Sequence, residues 1–501
     1  MRKTDGLNDS GIRGKTSHPS RTFLLLTILT YTLLVFLGIF YHEPWRDEAQ
    51  AWLLGRDLSF RELIAEMGYD GSPPLWHLSL SLLSGSGLPY FSMSLWNGLL
   101  MVTAAFLFLR FGPFDLLTKI LFIFSYYMIY EYAVIARSYG MSVLLLFSLA
   151  ALYQRRLQIP AVFGLLAALL ANTNTHSMFP AGAMGLILAY DIYKTGGFKA
   201  LLSRRFLPAL LILSAGVLFA VYSVIPPSDS WKPGLINEFA YLAPADAIAQ
   251  AFIPACGENP AITLFTRHWT ELIFFAVFFL LFMIYLGRSG RALFFFLTAF
   301  AGMVYILIFK HSGYLRHYGL ILIWLMTALW ILNIEKQQPL LPLHKIPGPF
   351  RLTIMVFLAV SLFVSTLPGI YYLNKDIRKK FSGSKEMALL LKNEMSPGIP
   401  VIAYNVHTMT SLLPYLPGAR FWDPGIRDYY TFIHWDSTYL PGRRLPPEEV
   451  IHRAFNKAGG HSFLLLLPWP LENPGQYRLQ TLQQVFGETI TSDEIYFLYR
   501  Y

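Results

Sequence analysis

The chain has 501 residues, of which 54% are hydrophobic and 16% aromatic, and only 14% carry charge. A soluble protein carries about 25% charged residues, and the apolar residues here fall in blocks of about 20, long enough to cross a hydrocarbon core as helices. Composition therefore excludes a soluble globular protein. The formal net charge of +10 is not gathered on one face of a soluble domain, which argues against a nucleic-acid binder. The single cysteine, Cys256, excludes an intrachain disulfide.

In chain order, residues 1–21 form a polar cytoplasmic tail with the composition of a disordered segment. Spans are expected at roughly 22–41, 90–110, 114–131, 138–154, 158–172, 175–193, 206–226, 268–287, 292–309, 314–334 and 350–373, about eleven in all. No small-residue cleavage site follows the first apolar run, so it reads as an uncleaved span. The segment 75–89 reads as a short or re-entrant helix. The Arg155-Arg156 pair and the cluster Lys194, Lys199, Arg204 and Arg205 fall on the side that the positive-inside bias makes cytoplasmic. An odd number of spans then sets 374–501 outside.

The first outer segment, 42–89, is patterned rather than a plain connector. Ser59 and Glu62 have the capping-box spacing. Phe60, Leu63, Ile64 and Met67 follow at helical spacing, which predicts a short amphipathic helix along the membrane surface. A second short helix is expected from about Asp47, and the Ser72-Pro73-Pro74 turn opens a third. A long Pro-, Gly- and aromatic-rich outer loop follows at 227–267. From 374 the pattern changes to a small α/β domain, with helices at Lys385–Met395 and Pro446–Ala458 and strands at Pro400–Tyr404, Ser462–Leu467 and Ile495–Tyr501. The chain thus reads as an all-α polytopic membrane protein of about eleven transmembrane helices, with a small C-terminal extracytoplasmic α/β domain.

The ionisable residues gather at span ends on one side: Asp47, Glu48, Asp70, His77, Glu131, Arg137, His176, Lys310, His311, Arg316 and His317. Charge at that depth is costly and marks a site or a pathway. Asp47 is placed to take a proton from an acceptor hydroxyl; it would equally serve as a helix N-cap, with Gln50 at the third helical position. Glu48 would orient Asp47 or the acceptor, or stand as a first-turn helix charge. Asp70 is a second carboxylate candidate, or a turn residue ahead of Gly71. His77 lies in an apolar helix and reads more as a packed histidine than as a catalyst. Arg137 can fork onto a phosphate or snorkel at a helix end. Lys310, Arg316 and His317 form a second cationic cluster, and an anionic lipid phosphate is its natural partner. Tyr139 and His176 complete the candidates. Asp47, Glu48, Asp70 and His176 include ligand types that suit Mg²⁺ or Mn²⁺, but no spacing among them forces coordination.

Four landmarks occur in order: the acidic pair Asp47-Glu48 after the first span, Asp70 before the Pro73-Pro74 turn, the Ala136-Arg137-Ser138-Tyr139 motif at the start of a later span, and a soluble α/β domain at the end. In these the chain resembles the GT-C superfamily of integral-membrane glycosyltransferases, in its branch of protein O-mannosyltransferases and aminoarabinose (lipid A) transferases. The resemblance covers about 20–375 in layout. It implies an inverting glycosyltransferase of the plasma membrane that takes a sugar from a polyprenyl-phosphate donor to a glycolipid, polysaccharide or protein outside. It further implies Asp47 as base or acceptor-positioning group and basic residues on the donor phosphate, here Arg137, Lys310 and Arg316. Many relatives carry His or Lys just before the Pro-Pro pair, where this chain has Ser72, so a phosphate contact from that position is not carried over. An O-antigen ligase or polymerase, and a lipid flippase or transporter, are the alternatives; the latter would favour inverted repeats and broken helices at mid-membrane, and neither pattern is present.

Overall fold

The computed structural model describes residues 21–231, 243–254, 268–311, 313–335, 348–437, 445–485 and 489–501. The expected N-terminal tail and parts of the 227–267 loop lie outside these residues. Helix α1 (Arg21–Tyr41) leads into three short helices, α2 (Arg46–Asp57), α3 (Phe60–Asp70) and α4 (Leu75–Gly85). Then come α5 (Ser92–Phe111), α6 (Leu116–Ile123), a π-helical turn at Tyr127–Glu131, α7 (Ser138–Leu152) and α8 (Pro160–Ala171). The bundle continues with α9 (Met178–Leu201), α10 (Leu207–Ser223), α11 (Ala243–Phe252), α12 (His268–Leu286), α13 (Gly290–Phe309), α14 (Leu315–Ile334) and α15 (Gly348–Arg378).

Six of these helices, α1, α5, α12, α13, α14 and α15, are long and apolar enough to cross a membrane. The other five expected spans fall on shorter or interrupted helices: α6 with its π turn, α7, α8, α10, and α9, which turns non-helical at Gly196 and Gly197. Hydropathy reports an apolar block but not where its helix stops, and Pro160 and Asn172 bound α8 at 12 residues. The chain is a multi-span membrane protein. Helix α14 is its centre, with 83% of its apolar stretch buried against 28% for α1, whose Leu25, Leu29, Leu33 and Phe40 face outward.

In such a bundle lipid is as apolar as leucine, so helices associate through close packing at small residues. The α8–α10 crossing shows this. A Cβ on Gly164 would lie 2.6 Å from the Ala209 carbonyl oxygen, and one on Gly216 would lie 2.5 Å from the Ala168 Cβ. Neither position accepts a side chain without parting the helices.

The caps of the first segment follow local rules, with one correction. Glu62 accepts from the Ser59 amide at 2.8 Å, closing the expected capping box of α3. At α2, however, Trp45 is the capping residue and Glu48 is the third helical residue, reaching back to the Trp45 amide at 3.3 Å. Asp47 is therefore inside the first turn and not the cap, which leaves its carboxylate for other partners. The Gln50 amide is equally diverted: it exchanges two 2.8 Å hydrogen bonds with the main chain of Ile433.

Beyond α15 the chain forms α16 (Ser384–Glu394), a short helix α17 (Val406–Met409), α18 (Pro447–Ala458) and a mixed six-stranded sheet. Its strands are β1 (Val401–Ala403), β2 (Phe421–Asp423), β3 (Asp428–Tyr430), β4 (Leu464–Leu467), β5 (Gln480–Val485) and β6 (Tyr496–Arg500), in the order β3-β2-β1-β4-β6-β5. Strand β1 runs parallel to β2 and β4; the other pairs are antiparallel. Alternation of side chains divides the two faces. Val401, Ala403, Leu464, Leu466 and Leu498 pack toward α16 and the helical bundle, while Ile402, Leu465, Leu467, Phe497 and Tyr499 pack on Val450, Ile451 and Ala454 of α18. The sheet docks onto the first segment through polar clamps: the Arg46 amide donates to Glu494 at 2.9 Å, Arg46 pairs with Asp493, and His434 meets Glu66 at 2.9 Å.

Candidate active site

Helix α2 begins five residues after α1 ends, which brings its first turn back over the end of the bundle. There Asp47 meets two arginines from distant segments. Its Oδ2 accepts from Arg137, the residue that opens α7, in a close ion pair, and forms a second ion pair with Arg316 of α14 at 3.1 Å. Arg46 stands 3.8 Å from Oδ1. Burial alone would raise the Asp47 pKa, but Arg137, Arg316 and Arg46 outweigh it and hold the carboxyl well below the usual range. Asp47 is thus an ionised carboxylate, about a fifth exposed at 21%, in a pocket of guanidinium charge.

Glu48, the next residue, turns the other way. Its side chain is fully buried, one oxygen bonded to His42 at 2.9 Å and the other accepting from the Ala136 amide at 2.6 Å. Glu48 therefore ties the loop that carries Arg137 to the helix that carries Asp47.

An aromatic wall lines the same place. Tyr139 stacks on Tyr132 with centroids 5.4 Å apart, and its edge meets His317 at 6.0 Å. His317 stacks on His176 at 4.8 Å. The Tyr132 hydroxyl donates to the Arg316 carbonyl at 2.7 Å, which anchors the turn from which Arg316 reaches Asp47. The Arg316 guanidinium also lies over the rings of Tyr314 and Trp45, at 4.8 and 5.9 Å. His176 Nε2 is buried without a hydrogen-bond partner among the described residues.

The other carboxylate candidates, Asp70 and Glu131, form no ion pair with the arginines that hold Asp47, though Arg137 feels the charge of Asp70, and Glu131 that of Arg137 and Arg316. Asp70 ends α3 just before Gly71, whose left-handed backbone (φ +71°) turns the chain, and its nearest basic partner is His77 at 3.9 Å. The turn is held by Thr175, whose hydroxyl donates to the Gly71 carbonyl at 2.7 Å. Lys310 follows α13 as an exposed residue and makes no ion pair with a described residue. Among the described residues, no three of His, Cys, Asp and Glu are gathered so as to hold a metal ion.

No protein-family model matches the sequence, and no curated protein sequence matches it. Solved structures do. The chain is similar to ArnT from Cupriavidus metallidurans, in the structure with bound undecaprenyl phosphate, with a TM-score of 0.52 at 13% identity over 96% of this chain and 98% of that one. The apo structure of the same protein gives 0.50 at 13% identity over the same shares. The chain has the fold of ArnT. The arabinofuranosyltransferase AftD from mycobacteria gives a TM-score of 0.42 at 14% identity, with 97% of this chain on 40% of that one.

Within this fold, sequence reasoning missed the residues that hold the acidic motif in place. His42 and Asp376 flank Glu48's side of it, bonded to each other at 2.8 Å. Arg46, Asp493 and Glu494 bind the C-terminal sheet to the first turn of α2. His42 lies only five residues before Asp47, and its place in that segment was the one local signal. Nothing local marks Asp376 or Glu494.

Proposed function

We propose that this protein is an inverting glycosyltransferase that moves a sugar from a polyprenyl-phosphate donor to an extracytoplasmic acceptor. The single observation that carries the reading is the Asp47 carboxylate set between Arg137 and Arg316 in a GT-C fold. The undecaprenyl phosphate bound by the similar ArnT structure supports a polyprenyl phosphate as the lipid. In the reaction the acceptor oxygen attacks the anomeric carbon while the bond from that carbon to the phosphate oxygen breaks. The phosphate leaves with the electron pair, and Arg137 and Arg316 neutralise its growing charge. Asp47 accepts the acceptor's proton. Both arginines lie on Asp47. A donor phosphate competes for them, and each guanidinium it draws away raises the proton affinity of Asp47. Donor binding thus prepares the base.

The N-terminus is cytoplasmic in this reading, the plasma membrane is crossed about eleven times, and the domain from 374 lies outside, where it recognises the acceptor. A cleft of about 860 Å³ supports that last role. It runs between the end of α2 (Arg56, Asp57) and the sheet edge (Arg420, Asp428, Tyr429, Phe432). Its lining holds two arginines, three aspartates and three tyrosine or phenylalanine rings, a set of forks, acceptors and ring faces that suits a hydroxyl-rich saccharide better than a bare anion.

The test is sugar transfer in reconstituted membranes. A panel of polyprenyl-phosphate sugars and cell-envelope extract is offered to wild type and to a folded Asp47→Asn variant. Transfer by wild type alone supports the reading. Transfer only from diphosphate-linked polymers would move it to a ligase, and transfer from no donor would overturn it. Mg²⁺ or Mn²⁺ has no assigned step, since the arginines meet the phosphate charge, and transfer is expected to survive EDTA. Its loss would add a metal to the mechanism.

A further inference from the structure

We propose that His42, held by both ring nitrogens between Glu48 and Asp376, is a positioning residue that sets where Asp47 and Arg137 meet. The inference rests on the glycosyltransferase reading only for what the positioned pair does, not for the strut itself.

His42 follows directly on α1, and its amide still donates to the Gly38 carbonyl at 2.9 Å, so its ring leaves the helix in a fixed direction. Nδ1 lies 2.8 Å from Asp376 Oδ2, near the end of α15, and Nε2 lies 2.9 Å from Glu48 Oε2. All three side chains are fully shielded from solvent. Phe381 packs edge-on against the ring at 4.5 Å, and the Tyr130 hydroxyl donates to the same Asp376 oxygen at 3.1 Å. An ionised carboxylate only accepts, so with both carboxylates ionised both ring nitrogens carry protons. The charged groups around the ring are Glu48, Asp376 and the neighbouring Glu43. Burial would lower the His42 pKa; Asp376 and Glu48 outweigh it and raise it to about 10.

What this strut holds matters more than that it is buried. The far oxygen of Glu48 accepts from the Ala136 amide at 2.6 Å. One residue on is Arg137, and one residue before Glu48 is Asp47. Both members of the site pair therefore hang one peptide unit from a rigid chain running Asp376, His42, Glu48, Ala136. Helices α1, α2 and α15 and the loop before α7 are locked together at this point. A loose strut would let the main chain at 136 shift, and the guanidinium would swing with it.

The experiment uses the full-length protein in nanodiscs. Histidine-selective ¹⁵N NMR is expected to show one imidazole doubly protonated from pH 6 to pH 8.5, and the signal is expected to be lost in His42→Gln. Glutamine can donate to one carboxylate but not to both. In that variant, binding of undecaprenyl phosphate is expected to weaken at least tenfold with the melting temperature kept within a few degrees. Unchanged lipid binding in the folded variant would overturn the proposal, as would a lower melting temperature with unchanged binding per folded molecule. Should the variant not fold, the wild-type spectrum decides: a histidine still charged at pH 8.5 supports the strut, and none overturns it. Failure of the functional reading looks different, since wild type would then not bind undecaprenyl phosphate while the charged histidine persists.

Discussion

Asp47 and Arg137 stand ninety residues apart in the chain and form a close ion pair at the mouth of the helical bundle, with Arg316 closing on the same carboxylate oxygen at 3.1 Å. Two cations on one carboxylate leave it ionised and engaged, and the three groups together carry a net positive charge.

Replacing Asp47 by Asn separates its two roles. Transfer is expected to fall by two to four orders of magnitude, roughly the contribution of a positioned base. Binding of undecaprenyl phosphate is expected to be kept or tightened, because the variant frees both arginines. The check is a transfer assay beside a lipid-binding isotherm on the same preparation; weaker lipid binding would mean that Asp47 holds the arginines in place rather than competing for them.

Lysine is not a substitute for either arginine. A guanidinium serves two oxygens at once through a planar fork, and an ammonium is a point charge. Arg316→Lys and Arg137→Lys are each expected to raise the donor KM about tenfold or more, and the double variant to lose donor binding altogether. Lys310→Ala, at an exposed residue that forms no ion pair with Asp47, is expected to change donor KM less than twofold. A large effect there would place the donor phosphate nearer α13.

The C-terminal cleft predicts a different kinetic signature. Arg420→Ala combined with Tyr429→Ala is expected to raise the acceptor KM several-fold and to leave the donor KM unchanged. Equal effects on both substrates would remove the cleft from acceptor recognition.

Stability should depend on pH through Glu494. This carboxyl is buried where it accepts from the Arg46 amide and the Ser382 hydroxyl, and burial raises its pKa to about 7. An acid that holds its proton longer when folded than when unfolded makes the fold less stable as pH rises from about 4.5 through about 7. Glu494→Gln is expected to flatten that slope, leaving the variant more stable than wild type at pH 8 by about 1–3 kcal/mol. Thermal unfolding at pH 5 and pH 8 measures the difference. A variant less stable at both pH values would show that the carboxylate is favourable as an ion.

Much of the helical layout was legible because it rests on short-range effects. Ser59 and Glu62 announce α3, and the Pro73-Pro74 turn announces α4. The helices at Ser384–Glu394 and Pro447–Ala458 and the strands β1, β4 and β6 fall on the segments expected for them. The failures have physical causes too. Asp47 reads as an N-cap by residue type, yet Trp45 takes that place because Glu48 reaches back to its amide. The apolar block 114–131 reads as one continuous helix, while the chain breaks there into α6 and a π turn. Strands β2, β3 and β5 went unread: the first two are three residues long, and β5, Gln480–Val485, is mostly polar and exposed.

By itself the sequence determined that this is a membrane protein, where its main helices lie, and that carboxylates and cations share the ends of those helices. Those properties follow from hydropathy and from hydrogen bonding within a few residues. Only the tertiary structure decided which charge meets which: that Arg137 and Arg316, but not Lys310, close on Asp47, and that His42 joins Glu48 to an aspartate 334 residues away. A side-chain ion pair acts over a few ångströms, and which groups come that close is set by how helices cross, which no local pattern records.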